Sequence, residues 1–465
     1  MKKTPLEEWL RGKVAGNHDG TLAEQIDRYQ LIKLRETVAY VREKSPFYRD
    51  LFCGTGAGST MDIEDFSRLP FTTADDLREQ GGRMLCTSQD EIERVVTLQS
   101  SGTTGQPKRI FYTAEDLEAT VDFFAHGMAT LVDPGATVIV FLPGELRDSV
   151  GDLLARALVR TKVNPVVWGP VRDPAAARAE IMKHPHPCLV GIPTQMLALA
   201  RGDLEGAIPR GWVESVLLST DYVPEAIERE LEQRWGCRVL THYGMTETGL
   251  GGGVECQAAE GYHLREADLY TEIIDPGTGL AVADGEEGEV VFTTLSRRGM
   301  PLVRYRTGDL ARLIKDPCPC GTVLKRLGRV QGRIAAEVSL KDGRRLRMSE
   351  LDETLFAIPG VLDYTAELEV RVGRDQLRLC FQTVEGEEAQ VARKARSALL
   401  SHDATSALWR DKVLALGSIG FSPAGWPGTG VAKRQILDRR GDSFTLTASR
   451  HIHASRLNEG KRINR

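Results

Sequence analysis

Apolar side chains at Leu22, Ile26, Leu31, Leu34, Val38 and Val41 recur near helical spacing and predict an amphipathic helix over residues 21–43. Ser45-Pro46 ends it, because a residue before proline is pushed out of helical geometry. From about residue 60 to 240, short β-rich runs alternate with helical stretches. Examples are 136–142 (ATVIVFL) before a Pro-Gly break, 188–192 (CLVGI), and 215–218 (SVLL) before Pro224 and a helix through Arg234. Such alternation predicts an α/β sheet. Over 268–314 the period changes. Asp275-Pro276-Gly277 and Asp284-Gly285 punctuate the runs LYTEII and GEVVFTTL, predicting an antiparallel, barrel-like portion. From about 335 a smaller unit begins, with a turn at Gly343, a helix over 349–358, and alternating runs at 367–372 and 376–384. The expected fold class is α/β: a large N-terminal domain of α/β subdomains plus the barrel-like portion (1–333), and a small, mobile α+β C-terminal domain (334–465). From His451 onward the chain is polar and basic, which predicts a disordered tail.

A length of 465 residues exceeds one ordinary core, in keeping with two to three domains. The net charge of −5, from 60 basic and 65 acidic residues, offers no global basic field for nucleic acid or anionic lipid. No apolar run approaches the ~20 residues that span a bilayer. MKKTPLEEWLRGK lacks the apolar stretch of a secretory signal, and eight cysteines in so long a chain do not form a disulfide framework. The expectation is a cytoplasmic protein. Oligomeric state is not legible, a homodimer being one option.

The strongest local signal is Ser100-Ser101-Gly102-Thr103-Thr104-Gly105-Gln106-Pro107-Lys108, after a predicted strand at 95–98. Glycines let backbone N–H groups close on an anion. The hydroxyls of Ser101, Thr103 and Thr104 add donors, and Lys108 adds charge. The order differs from G-x-x-x-x-G-K-[ST], so this is not that loop. The alternative for such a segment alone is an ordinary surface loop.

Three further blocks follow in order: His242-Tyr243-Gly244-Met245-Thr246-Glu247, Tyr305-Arg306-Thr307-Gly308-Asp309, and Gly332-Arg333. Together the four resemble the adenylate-forming superfamily of acyl-CoA synthetases, luciferases and peptide-synthetase adenylation domains. Ser45-Pro46-Phe47-Tyr48-Arg49, Leu69-Pro70-Phe71-Thr72-Thr73 and a Cys-rich segment resemble its phenylacetate-CoA ligase branch. The resemblance covers roughly residues 25 to 440. It implies ATP-dependent activation of a carboxylic acid, one with an aromatic group among the options, to an acyl-adenylate, followed by transfer to coenzyme A. It also implies roles. Ser101, Gly102, Thr103, Thr104, Gly105 and Lys108 would cradle phosphates, and Tyr243 with Gly244 would pack on adenine. Thr246 would touch the α-phosphate and Glu247 would hold Mg²⁺. Asp309 would accept from both ribose hydroxyls, with Arg333 close to the sugar. Each block also suits the chemistry, because displacement at phosphorus is catalysed mainly by positioning and charge neutralisation.

Cys318-Pro319-Cys320-Gly321, with Cys256 and His263 upstream, offers the Cys₃His set usual for structural zinc. The pairs lie about sixty residues apart. They meet only if the fold joins them; otherwise these are unrelated thiols and a surface histidine. Some members of the branch look similar here and carry structural zinc.

Two departures stand out. The family's C-terminal lysine aligns with Val431 in Thr429-Gly430-Val431-Ala432-Lys433, leaving Lys433 as the nearest catalytic candidate. The hinge acids after Gly332-Arg333 read Ala335-Ala336. Loss of such a positioned cation costs roughly 10²–10³ in rate. An adenylating enzyme with another acceptor and a nucleotide binder without turnover therefore stay open beside the CoA ligase. Candidate acyl-pocket residues are Phe123, Phe124, His126, Gly144 and Thr220, with Asp221 and Tyr222 nearby.

Overall fold

A computed structural model of the chain describes residues 1–14, 19–56, 58, 60–98, 106–422 and 434–440. The first predicted helix forms over Leu22–Lys44. Thr21 and Glu24 form a reciprocal capping box at its start, and Ser45 closes it and begins the next helix, Pro46–Leu51.

The α/β alternation produces a nine-stranded sheet among the described residues. Its parallel half runs, in spatial order, Asn164–Val167, Thr137–Val140, Cys188–Gly191, Ser215–Leu218 and Arg238–Tyr243. The three central strands, Thr137–Val140, Cys188–Gly191 and Ser215–Leu218, are apolar at nearly every position because both faces are covered. Val138, Val140, Val190 and Leu217 point into one core, whereas Ile139, Phe141, Leu189 and Val216 point into another. Past Tyr243 the sheet turns antiparallel through Gly253–Glu255, Tyr262–Leu264, Arg326–Leu327 and Leu313–Ile314.

The barrel-like portion is an antiparallel sheet of Leu269–Ile274, Gly288–Thr294, Tyr305–Ala311 and Gly332–Arg333. In the smaller unit, Gly343 sits at φ +88° between Val338–Ser339 and Arg345–Leu346, the left-handed turn that glycine adopts without a Cβ penalty. Helix Met348–Phe356 then packs beside the strands Val361–Arg371, Arg374–Thr383, Leu414–Phe421 and Ile436–Asp438.

The smaller unit shares its apolar core with the second face of the large sheet. At that junction Arg201, 2% exposed, donates to the carbonyls of Phe356 (2.9 Å), Ile358 (3.0 Å) and Val361 (2.6 Å) and pairs with Glu230 (2.9 Å). A guanidinium so buried persists because both of its terminal nitrogens are satisfied and its charge is paired. Arg201→Met leaves three buried carbonyls without that donor. We expect it to lower stability by about 3 kcal/mol or more, read as a lower urea midpoint. An unchanged midpoint would remove Arg201 from the junction's energetics.

Among the described residues no helix is long and apolar enough to cross a membrane.

Candidate functional site

Open α/β sheets present ligands at the carboxyl ends of their strands. Here the last parallel strand ends at Tyr243, and the neighbouring antiparallel sheet brings Asp309 opposite it. Tyr243 Oη donates to Asp309 Oδ2 at 3.1 Å. Asp309 and Arg333 are directly paired across adjacent strands, so their side chains share a face, and Arg333 Nε donates to Asp309 Oδ1 at 2.7 Å. Burial first, and the Asp309 carboxylate second, push the Tyr243 phenol well above its usual value. It therefore stays a neutral donor. Tyr243, Gly244, Asp309 and Arg333 line one cleft, walled on its far side by Thr220, Asp221, Tyr222, Asp352 and Arg434.

The phosphate-loop residues Ser101, Gly102, Thr103, Thr104 and Gly105 lie outside the described residues, as do Val431 and Lys433. The strands around that loop, Ile92–Leu98 and Lys108–Thr113, form a hairpin with Leu98 opposite Lys108. Lys108 reaches Glu247 in a close ion pair, and Tyr305 Oη donates to the same Glu247 oxygen at 3.3 Å. Burial alone would raise the Glu247 carboxyl; Lys108, helped by a backbone hydrogen bond and Arg333, offsets it and holds the group below its ordinary value. Thr246 belongs to the short turn that carries Glu247, and its carbonyl accepts from Tyr112 Oη. The structure thus gathers Lys108, Thr246 and Glu247 into one cluster and Tyr243, Asp309 and Arg333 into another. Arg333 electrostatically supports Glu247 as well as Asp309, which ties the two together.

The expected acyl-pocket residues divide. Phe123 and Phe124 line a second, apolar pocket with Met128, Leu142, Val190 and Leu217, while Thr220, Asp221 and Tyr222 belong to the cleft. His126 instead stacks on Trp9 at 5.7 Å. At Gly144 an added Cβ would lie 2.2 Å from Val167 Cγ1, so this glycine leaves room for the Val167 side chain. Sequence reasoning assigned no role to Ser219, His242, Asp352 or Arg434. His242 and Arg434 sit beside recognisable motifs, but nothing local marks Ser219 or Asp352.

The Cys/His pairs do meet. Cys256 follows the strand Gly253–Glu255, His263 lies on the next strand, and Cys318 and Cys320 occupy the loop joining the outer strands Leu313–Ile314 and Arg326–Leu327. Sheet pairing thereby closes a sixty-residue gap. The four ligand atoms all fall within 4.8 Å of one another. Cys256 Sγ lies 3.6 Å from Cys318 Sγ, and His263 Nε2 lies 3.5 Å from Cys318 Sγ and 3.6 Å from Cys320 Sγ. A tetrahedral zinc with bonds of about 2.3 Å to sulfur and 2.0–2.1 Å to nitrogen has S···S edges of about 3.8 Å and S···N edges of about 3.5 Å. Burial also pushes the His263 imidazole down to about 4, leaving it neutral at pH 7 as a ligand requires.

The same lobe buries Glu266, which is 4% exposed and accepts from the Lys325 N–H at 2.9 Å, while Lys325 Nζ stays 4.0 Å away. Burial pushes its carboxyl from 4.5 to about 7, with Lys325 offsetting part of the effect. Between those values the native state holds a proton that the unfolded chain has released, so this group lowers stability as pH rises through the window. Glu266→Gln is expected to remove about 2–3 kcal/mol of that fall. Denaturant midpoints at about pH 5 and about pH 8 check it; parallel wild-type and variant profiles would refute it.

Comparison with known proteins identifies the family. The profile of the family described as "AMP-binding enzyme" matches residues 64–296. Phenylacetate-coenzyme A ligase of Thermus thermophilus is 30% identical over 387 residues, covering 78% of this chain and 85% of that one. The enzyme of that name from Pseudomonas putida is 30% identical over 322 residues, covering 67% and 71%. Among solved structures, 2-hydroxyisobutyryl-CoA ligase in its postadenylation state, with 2-HIB-AMP, superposes with a TM-score of 0.76 at 22% identity over 90% of each chain. The same ligase in its thioesterification state gives 0.63. The chain belongs to the AMP-binding, adenylate-forming enzyme family, in its phenylacetate-CoA ligase-like branch.

Proposed function

We propose that this protein is an AMP-forming carboxylate–CoA ligase. A carboxylate oxygen attacks the α-phosphorus of ATP and pyrophosphate leaves. The CoA sulfur then attacks the acyl carbon of the adenylate, and AMP leaves with the electrons of the broken C–O bond. The observation that carries this reading is that the Tyr243–Asp309–Arg333 cluster lines one cleft and is tied to the adjoining Lys108–Glu247 pair, which Tyr305 hydrogen-bonds and Arg333 supports electrostatically. Residues from four separated motifs meet where a nucleotide would sit.

In this reading Tyr243 and Gly244 face adenine, Asp309 accepts from the ribose hydroxyls and Thr246 meets the α-phosphate. The loop through Ser101, Gly102, Thr103, Thr104 and Gly105 cradles the triphosphate. Glu247 would hold Mg²⁺, which keeps most of its waters and neutralises phosphate charge; one buried carboxylate suits it, with Lys108 released toward the phosphates. Lys433 precedes Arg434, which lines the cleft, and we assign it the cationic role left open at Val431. Cys256, His263, Cys318 and Cys320 hold a structural zinc: four buried protein ligands leave no open position for chemistry. We place the domain boundary at 333/334, with the smaller domain mobile. The thiols, all unpaired among the described residues, fit a cytoplasmic location.

The test is a screen of carboxylic acids for pyrophosphate release, with AMP formation followed with and without CoA. Acid-dependent release accelerated by CoA is expected. Release indifferent to CoA would move the acceptor elsewhere. Nucleotide binding with no acid-dependent turnover would sink the enzymatic reading.

A further inference from the structure

The parallel strands Ser215–Leu218 and Arg238–Tyr243 lie side by side, and two side chains at their carboxyl ends meet: Ser219 Oγ is 3.0 Å from His242 Nδ1. Both line the apolar pocket, whose other walls are hydrocarbon and aromatic. His242 also lines the nucleotide cleft beside Tyr243, so the pair stands where the two cavities join. Phe123 and Phe124 hold the imidazole at centroid distances of 6.4 and 6.3 Å. The second ring nitrogen, Nε2, is buried and has no hydrogen-bond partner among the described residues. A buried polar atom left so is costly, and a ligand that completes it recovers that cost. A plain aryl or alkyl acid would fill the hydrocarbon walls and leave Nε2 unmet.

We propose that the Ser219–His242 pair selects an acid bearing a hydrogen-bonding substituent, best a hydroxyl, between its carboxylate and its apolar body. This rests on the acid-activating reading above and adds the substrate class. The position follows from the junction: the carboxylate must reach the α-phosphate side of His242, and the apolar body must enter the pocket beyond it. A hydroxyl suits either tautomer. If Ser219 donates to Nδ1, Nε2 carries the proton and the ligand accepts; if Nδ1 donates to Ser219, the ligand donates to Nε2. Burial pushes the imidazole down to about 4, so at neutral pH it offers no charge to a second carboxylate.

The test uses the full chain with ATP, CoA and two acids that differ by one hydroxyl, phenylacetate and 2-hydroxy-2-phenylacetate. Wild type should favour the hydroxy acid by roughly 10- to 100-fold in kcat/KM, because a site with an unmet polar group discriminates against the ligand that leaves it so. His242→Leu should bring that ratio to about one or below. Ser219→Ala keeps the ring and should lower the ratio partway; it serves alone should His242→Leu fail to fold. Independently of turnover, ¹⁵N-histidine spectra with AMP present should show the Nε2 resonance moving on addition of the hydroxy acid and not of phenylacetate. A wild type that prefers the plain acid, a ratio that both variants leave alone, or an unmoved Nε2 resonance overturns the proposal. Turnover with no acid at all would instead overturn acid activation, and the Nε2 resonance would still decide for or against the hydroxyl.

Discussion

Asp309→Ala should cut acid-dependent pyrophosphate release by roughly 10²–10⁴ in kcat/KM for ATP, because two hydrogen bonds to a charged acceptor, each worth about 1.5–3 kcal/mol, are lost together. The carboxylate is 3% exposed, and Tyr243 and Arg333 aim both of its oxygens into the cleft. Preorganisation of this kind is what positions a ribose, and alanine removes the acceptor together with its two supports. Asp309→Asn keeps one acceptor and should lose only about tenfold. The loss in the alanine variant should appear mainly in KM for ATP, since the ribose does not react. Arg333 is a third exposed, so water can take over its solvation, and the thermal midpoint should move little. An alanine variant with unaltered KM for ATP would place the nucleotide elsewhere.

The second large effect concerns the metal. Purified protein is expected to carry roughly one Zn²⁺ per chain, and Cys318→Ser or a strong chelator should remove it. Cys256, Cys318 and Cys320 form a small buried cluster of their own, apart from the main cores. They tie the outer strands Leu313–Ile314 and Arg326–Leu327 to the strand bearing His263. These outer strands are two residues each, too short to hold by ladder hydrogen bonds alone. Without the metal, three buried thiols and an imidazole lose their shared partner. Several kcal/mol should go with it, seen as a fall in thermal midpoint of about 10 °C or more. A metal-free protein with an unchanged midpoint would reduce the cluster to packed thiols. Because the lobe also buries Glu7 against Thr322 and Val323, the N-terminal helix Pro5–Val14 that carries Glu7 should loosen along with it.

Much of this fold was legible residue by residue, for reasons that differ from element to element. The helix Leu22–Lys44 announced itself because apolar spacing and the Ser45-Pro46 stop are both local. The parallel strands at 137–140, 188–191 and 215–218 could be read because burial on both faces demands unbroken apolar runs. Gly343 marked its turn because a positive φ has few takers. Pocket residues were harder. His126 and Gly144 looked suited to an acyl site, yet one stacks on Trp9 and the other leaves room for the Val167 side chain, since side-chain direction depends on packing partners outside the local segment.

By itself the sequence determined the elements, the order of the motifs and the residue types that chemistry needs. Hydrophobic periodicity and backbone stereochemistry act over a few residues, and no partner is required to read them. Only the tertiary structure decided which of those residues meet. The antiparallel continuation of the sheet carried Cys256 and His263 to Cys318 and Cys320, and cross-strand pairing set Arg333 on Asp309. Adjacent parallel strands placed Ser219 against His242. Such contacts are fixed by sheet register and by the burial of surfaces tens of residues apart, and neither leaves a trace in any short stretch of chain.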